Sequence, residues 1–178
     1  QAPAYIHIEP FLFQDSGIRD SSRIKEVFLS ANGYFLGGFH LPADIPILET
    51  NPVSFVISPS YRENGVLNLP IIHPFLSDYR VELSLPTEQT TSIAPITSYS
   101  SFADITINEN FEQHNILNVD LDAFPATQLK VSEVPDRAGK IGVVKMTSID
   151  SIWETTNTSS IQNINRNDDL ILEFAYKN

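Results

Sequence analysis

The sequence predicts an all-β protein with two antiparallel β-sandwich domains. Three observations support this: apolar residues recur at every second position in short runs, Asn-Gly pairs separate some runs, and most prolines lie at run ends. A sheet with one face on a core produces this alternation. No stretch of about ten residues shows a helical period. We therefore expect an immunoglobulin-like or transthyretin-like sandwich followed by a jelly-roll-like one.

Alternating apolar residues mark the strands of the first half. Ile6 and Ile8 predict the first strand. Asn32-Gly33 predicts a tight hairpin turn, because Asn and Gly both accept the positive φ angles of such turns. Further strands are predicted around Val53, Phe55 and Ile57 and around Tyr79, Val81, Leu83 and Leu85, and Asn64-Gly65 is a second turn candidate.

A domain boundary is predicted at an uncharged stretch rich in Ser and Thr. Residues 1–95 form the first predicted domain, residues 96–101 the linker, and residues 102–178 the second domain. In the second domain, the alternation of Leu129 and Val131 predicts one of the strands.

The last predicted strand runs from residue 170 to residue 177. Its apolar side chains are expected to face the core of the second domain, and its charged side chains to face solvent. Two interpretations remain open: the strand closes a small sandwich, or the jelly roll is incomplete and the strand meets a partner from another chain. The expected inward residues are Leu170, Leu172, Phe174 and Tyr176, and the outward residues are Glu173 and Lys177.

Charge and composition exclude several classes of function. The 178-residue chain has 11 basic and 22 acidic residues, and its basic residues never cluster, whereas nucleic-acid binding needs a basic stripe. The lack of cysteine excludes disulfides and thiolate zinc sites. No apolar run reaches the roughly 18 residues of a membrane-spanning helix.

The sequence favours a non-enzymatic protein without a cofactor. It has no cysteine nucleophile and no Gly-x-Ser-x-Gly motif. The adjacent pair Asp168-Asp169 is interpreted as a charged turn, because neighbouring side chains of a strand point apart. None of the histidines stands in a recognisable catalytic motif; they are His7, His40, His73 and His114.

A structural calcium ion is the one metal for which the sequence offers candidates. The oxygen-bearing alternation over residues 118–122 is not an EF-hand loop, because Ala123 stands at its sixth position and Leu129 at its twelfth. Glu109 and Glu112 open the second domain and are the candidate ligands. The alternative interpretation is a solvated acidic loop.

Three aromatic residues are candidates for carbohydrate binding, which needs exposed rings with polar groups around them. Trp153 is the single tryptophan and faces outward if Ile152 faces inward; burial in the core is the alternative. Tyr61 and Tyr79 are expected near turns, where their rings can be exposed.

The opening segment Pro3-Ala4-Tyr5-Ile6-His7-Ile8 resembles the start of a family of Bacteroidetes-type surface lipoproteins of unknown function. The segment around Asn32-Gly33, up to Leu41-Pro42, resembles the hairpin of that family. Departures are Ser60, where the family usually has a glycine, and His73, where it more often has a tyrosine. The other matching segments are 45–48, 59–65, 73–75, 110–112 and 172–177.

This resemblance implies an exported protein of the outer membrane or cell surface, lipid-anchored through a cysteine just before Gln1. It also implies a jelly roll that continues past Asn178. The expected function is that of an accessory or scaffold subunit in a surface assembly, with other surface or outer-membrane proteins as partners. The alternatives are a carbohydrate-binding module in the jelly-roll half, which would bind glycans, and a pilus-like subunit completed by a neighbour's strand.

A modification site is suggested by the same resemblance. Asp150-Ser151-Ile152 resembles the Asp-Ser/Thr-apolar acceptor that such bacteria use for O-glycosylation. Ser151 is the candidate acceptor, and a chance match of a three-residue pattern is the alternative.

Overall fold

The computed structural model describes residues 2–14, 24–48, 52–62, 70–113, 115–122, 124–135, 138–157, 161–162 and 164–174. These residues form strands, turns and loops without any helix, which confirms the predicted all-β class. They therefore contain no helix that is long and apolar enough to span a membrane. The chain divides into two compact units, Gln1–Asp104 and Ile105–Asn178.

Within the described residues the structure has fourteen strands. Those of the first unit are β1 (Ala4–Ile8), β2 (Leu12–Phe13), β3 (Glu26–Ala31), β4 (Tyr34–His40), β5 (Ala43–Ile47), β6 (Val53–Tyr61), β7 (Ile71–Ile72), β8 (Tyr79–Leu83), β9 (Thr90–Ile93) and β10 (Ile96–Thr97). Those of the second unit are β11 (Val119–Asp120), β12 (Lys130–Glu133), β13 (Lys140–Val143) and β14 (Thr155–Thr156).

The first unit is a sandwich of two main sheets. One sheet has the order β5-β1-β9, and the other has the order β4-β3-β6, with β7 and β8 both pairing along the far side of β6. Labelled A to G in chain order, the seven longer strands form sheets D-A-G and C-B-E-F. Immunoglobulin domains instead place A, B, E and D in one sheet. The order therefore favours the transthyretin-like alternative.

Two strand pairs depart from the antiparallel prediction. β1 pairs with β9 in parallel, and β2 pairs with β10 in parallel. The two pairs form a nearly continuous parallel edge, because backbone hydrogen bonds from Glu9 to Ile93 and from Leu12 to Pro95 join them. Local alternation cannot distinguish the two directions, since parallel and antiparallel strands share the same period of two residues.

The core of the first unit forms where the two sheets face each other. The apolar residues predicted from the period of two lie inward, and their side chains form one buried cluster. Phe55, the third residue of β6, is fully buried. Inward residues of the central strands are Ala4, Ile6 and Ile8 on β1, Val27, Leu29 and Ala31 on β3, and Val53, Phe55 and Ile57 on β6.

The turn between β3 and β4 confirms the hairpin prediction. Asn32 and Gly33 have φ angles of 50° and 81°, so both adopt the positive values that the turn needs. The Asn32 side-chain oxygen accepts the Ser54 amide at 2.9 Å and ties the turn to β6. The second turn candidate, Asn64-Gly65, lies outside the described residues.

The segment predicted as a linker, residues 96–101, belongs to the first unit. Ile96 and Thr97 form β10, and the Thr97 hydroxyl donates to the Ser77 carbonyl at 2.7 Å. The Ser100 amide donates to the Phe75 carbonyl. The Thr97 and Ser100 hydroxyls thus bind backbone carbonyls of the first unit, and the predicted linker bounds stay a prediction.

The second unit has two two-stranded sheets in its described part, β11 with β14 and β12 with β13. The predicted strand at 129–131 corresponds to β12. The jelly-roll sandwich stays a prediction, because these two ladders do not define one.

The predicted inward face of the last strand is wrong for its described residues. No strand is formed over 170–174, and Leu170, Leu172 and Phe174 are 67%, 84% and 69% exposed, whereas Glu173 is half-buried. Alternation shows that one side differs from the other, but only a partner strand decides which side is covered. Tyr176 and Lys177 lie outside the described residues.

Replacing Phe55 by Ala is expected to destabilise the first unit by about 3–5 kcal/mol, since the change leaves a cavity between the sheets. The matched control is Phe35→Ala, because Phe35 is 65% exposed. Its ring meets only the edge of Phe28 at a centroid distance of 5.6 Å, a contact that contributes about 0.5–1.5 kcal/mol. Urea unfolding followed by circular dichroism measures both; equal losses would contradict this core assignment.

Candidate functional site

The three predicted carbohydrate-binding aromatics lie in different units. Tyr61 and Tyr79 belong to the first unit and are half-buried. The Tyr61 ring meets the His73 ring edge-on at 5.1 Å, and Tyr79 packs against the core. Neither presents the open ring face expected from the sequence.

Trp153 lies in the second unit, just before β14, and is also half-buried. Its neighbour Ile152 is 57% exposed, so the two side chains have the opposite orientation from the one considered for an exposed tryptophan. Burial of Trp153 is partial and not complete. Trp153 is one of the residues that line a cavity of about 170 Å³ in the second unit, whereas another cavity of this unit, of about 420 Å³, is lined by Phe111 and Lys140 among others.

One carboxylate joins the two chain segments that form this site. The Asp122 Oδ1 atom accepts the Phe124 amide at 2.8 Å, and its Oδ2 atom accepts the Glu154 amide at 2.7 Å. The buried hydroxyl of Thr127 donates to the Phe124 carbonyl at 2.9 Å. Asp122 thereby fixes the loop after β11 against the residue that follows Trp153.

These hydrogen bonds also perturb Asp122 electrostatically. The amides of Phe124 and Glu154, in that order of importance, hold the pKa of the Asp122 carboxyl below its usual value of 3.8, because they stabilise the ionised form. The carboxylate is therefore a structural anion at neutral pH, and its free energy of ionisation is coupled to folding of the second unit.

The cavity beside Trp153 has a volume of about 170 Å³. Asp120 and Asn118 contribute from β11 and its approach, and Gln128 contributes from the loop after it. The Gln128 amide nitrogen donates to Asp120 Oδ2 at 3.2 Å. The described residues that line it are Asn115, Leu117, Asn118, Val119, Asp120, Gln128, Leu129, Trp153 and Thr155.

Among the described residues, none accepts a hydrogen bond from the Trp153 indole N–H. The lining of the cavity therefore combines the Trp153 ring with amide and carboxylate side chains. Such a set suits a small polar molecule.

The candidate calcium ligands have other partners in the structure. The two oxygens of Glu109 accept the amides of Phe111 and Ile116 at 2.6 and 2.7 Å, and Glu112 Oε1 accepts the Lys140 amide at 2.7 Å. The described residues contain no group of three acidic or histidine side chains that could hold a metal. Both glutamates thus organise loops, and calcium binding stays a prediction.

Phe111, which lies in one of these loops, has an uncommon backbone conformation. It has a φ of 62°, an uncommon value for a large residue, and its ring lies over Gly142 on β13. A Cβ atom at Gly142 would be 2.8 Å from that ring, so a larger residue would displace it.

The described histidines have structural contacts. His7 Nδ1 lies 2.8 Å from Asp44, which is directly opposite on β5. The Asp44 carboxylate raises the pKa of His7 above 6.5 through this hydrogen bond. His73 is buried and accepts the Phe75 amide at 3.2 Å. These contacts agree with the interpretation of His7 as an ordinary strand residue.

Ser151, the glycosylation candidate, is exposed. It follows a turn in which the Thr147 amide donates to the Asp150 carbonyl at 2.9 Å. The hydroxyl is accessible, and its modification stays a prediction.

A second feature of this unit is its exposed apolar surface. Every buried apolar residue of the described chain lies at or before residue 95, whereas the large apolar residues after residue 105 are either half-buried or exposed. The most exposed is Ile149, at 90%. Exposed apolar groups that are contiguous mark interaction sites more often than scattered ones do. Leu170, Leu172 and Phe174 form such a row within five residues, and we call this row the 170–174 segment.

The sequence marks Trp153 as a candidate but not the residues around it. The alternating oxygen-bearing residues at 118–122 do not match a calcium-binding EF-hand loop. In the structure these residues have the period of a strand, which places Asn118 and Asp120 along the cavity. No sequence pattern marks Gln128 as a residue of the candidate site.

Comparison with known proteins gives no relatives: no protein-family model, no curated protein and no solved structure matches the chain.

Asp122→Asn is expected to lower the thermal stability of the second unit, because a neutral amide accepts the two backbone amides less strongly. Since the folded-state pKa is lowered, this contribution is present above pH 3.8 and is lost as the pH falls through the folded-state value. Unfolding followed by Trp153 fluorescence between pH 7 and 3 measures it. Asp169→Asn, at an exposed aspartate, is the control. Identical pH profiles for Asp122→Asn and the original chain would contradict the assignment.

Proposed function

We propose that this chain is a non-enzymatic subunit of a bacterial cell-surface assembly. It is exported and lipid-anchored, and its partners are other surface or outer-membrane proteins. The observation that carries the proposal is the 170–174 segment, whose Leu170, Leu172 and Phe174 side chains are all more than half exposed. Burying one such side chain contributes about 1.5–3 kcal/mol, so a partner that covers the row gains substantial affinity.

The charge of the chain supports attachment to the membrane through a lipid anchor. A net charge of −11 with dispersed basic residues disfavours adsorption to an anionic lipid surface. A lipid anchor upstream of Gln1, as the resemblance implies, does not need a basic surface. The non-enzymatic part of the proposal rests on the sequence, which lacks cysteine and a nucleophile elbow.

The geometry of the 170–174 segment suggests how a partner binds. Exposed and half-buried residues alternate along it, as in a strand with one covered face, yet it belongs to no ladder among the described residues. A segment of this type can add to the open edge of a sheet in another protein, where main-chain hydrogen bonds give affinity and alternate side chains give specificity.

Leu172→Asp tests this proposal in the tagged, full-length chain purified from native membranes. Replacing an interfacial leucine by a charge is expected to reduce co-purification of the partners about ten- to a hundredfold. Because Leu172 is 84% exposed, the variant is expected to keep the stability of the original chain. Quantitative mass spectrometry of the co-purified proteins measures the effect.

Ile149→Asp is the matched control, since Ile149 is exposed outside the segment. It should retain the partners. Unchanged co-purification with Leu172→Asp, or an equal loss with both variants, would contradict an interface at the 170–174 segment. Co-purification of a second copy of this chain would identify the pilus-like form of the proposal.

Carbohydrate binding is the second candidate function. The observation that favours it is the cavity beside Trp153, which three amide side chains also line. It is compatible with a surface subunit, since the cavity and the 170–174 segment share no residues.

A further inference from the structure

We infer that the cavity beside Trp153 binds one neutral pyranose ring, the terminal sugar of a glycan. The inference rests on the second candidate function and specifies its ligand and contacts. It is independent of the proposed interface at the 170–174 segment.

The size of the cavity limits the ligand to a single ring. Its volume of about 170 Å³ is below the roughly 300 Å³ at which sites for drug-sized ligands begin. At about 30 Å³ per water molecule, it holds roughly five or six waters. A glycan therefore enters by its end, and the next sugar lies outside.

The polar groups of the cavity match hydroxyl groups. A sugar hydroxyl both donates and accepts, so a binding site must offer both kinds of group. Trp153, whose indole N–H can donate, lines the cavity. The Gln128 amide nitrogen is engaged by Asp120, which leaves the Gln128 carbonyl as an acceptor, and the exposed Asn118 amide supplies both functions.

The indole ring provides the remaining surface. One face of a pyranose carries mainly C–H groups, and such faces pack on aromatic rings while the hydroxyls bind at the edges. Trp153 is the one aromatic residue among the described residues that line the cavity.

The charge of the lining residues favours neutral sugars over charged ones. Among the described residues that line the cavity, Asp120 is the only charged one, and none is a lysine or arginine that could compensate a carboxylate or phosphate on the ligand. A quaternary ammonium ligand prefers a cage of several aromatic rings, whereas this site has one ring and three amide side chains.

The site is held in place before a ligand arrives. Asp122 fixes the loops on both sides, and the Asn115 side chain is bound to the Leu117 backbone at 2.9 and 3.0 Å. Binding therefore loses little conformational entropy in the protein.

The single tryptophan makes the test direct, because fluorescence and the one indole N–H signal in an NMR spectrum both report on this cavity. The full chain is titrated with methyl glycosides of glucose, galactose, mannose, fucose and N-acetylglucosamine. At least one should shift the indole N–H signal saturably, with a Kd of about 1 mM, as expected for a ligand of this size.

Single substitutions test which side chains of the cavity contact the sugar. Gln128→Ala and Asn118→Ala should each weaken binding about three- to tenfold, as expected for one lost hydrogen bond. Asn167→Ala, at an exposed asparagine that does not line the cavity, is the matched control and should bind normally. Trp153→Phe, followed through the Asp120 backbone amide, should weaken binding by a similar factor and leave co-purification of surface partners unchanged.

The inference is overturned if none of the glycosides shifts the indole signal. It is also overturned if Gln128→Ala and Asn118→Ala bind as the original chain does, or if methyl glucuronide or tetramethylammonium binds and the neutral sugars do not. Because these measurements use purified chain and small ligands, their failure is distinguishable from failure of the interface at the 170–174 segment.

Discussion

The packing of β1 against β3 and β6 is the constraint on which the first unit depends. Each of these strands places three apolar residues on one face, and the three rows meet in one buried cluster. A shift of one residue in any register would move a whole row to solvent, so the core and the strand pairing determine each other. The remaining strands extend the sheets around this centre.

The second unit relies on a different kind of interaction. Its described part lacks a buried apolar cluster, and carboxylates hold its loops: Asp122 fixes the segment before β14, and Glu109 and Glu112 fix the turn that carries Phe111. Hydrogen bonds from backbone amides to carboxylates orient loops well, but they do not remove apolar surface from water. The same arrangement therefore leaves the 170–174 segment exposed and shapes the cavity at Trp153, so one physical feature underlies both proposed binding functions.

Local sequence chemistry predicted those parts of the fold that depend on neighbouring residues. The Asn32-Gly33 turn follows from two residues, and the inward face of β6 follows from Val53, Phe55 and Ile57 alone. The candidate site could not be predicted in this way, because its contacts join distant positions. Asp122 binds the Glu154 amide 32 residues away, and Glu112 binds the Lys140 amide 28 residues away. The orientation of Trp153 and the exposure of Leu172 depend on which side of each segment is covered by a partner strand. Alternation alone does not contain that information.

The central claim is that the first unit is stabilised by a closed apolar core, whereas the described residues at the end of the second unit leave Leu170, Leu172 and Phe174 largely exposed. Hydrogen–deuterium exchange along the intact chain, read by mass spectrometry, tests it most directly. The account predicts that amides of β3 and β6 exchange only through global unfolding, and that amides of residues 169–172 exchange close to the rate of an unprotected chain. Equal protection of residues 169–172 and of β3 and β6 in the isolated chain would show that this segment is already covered, and would contradict the claim.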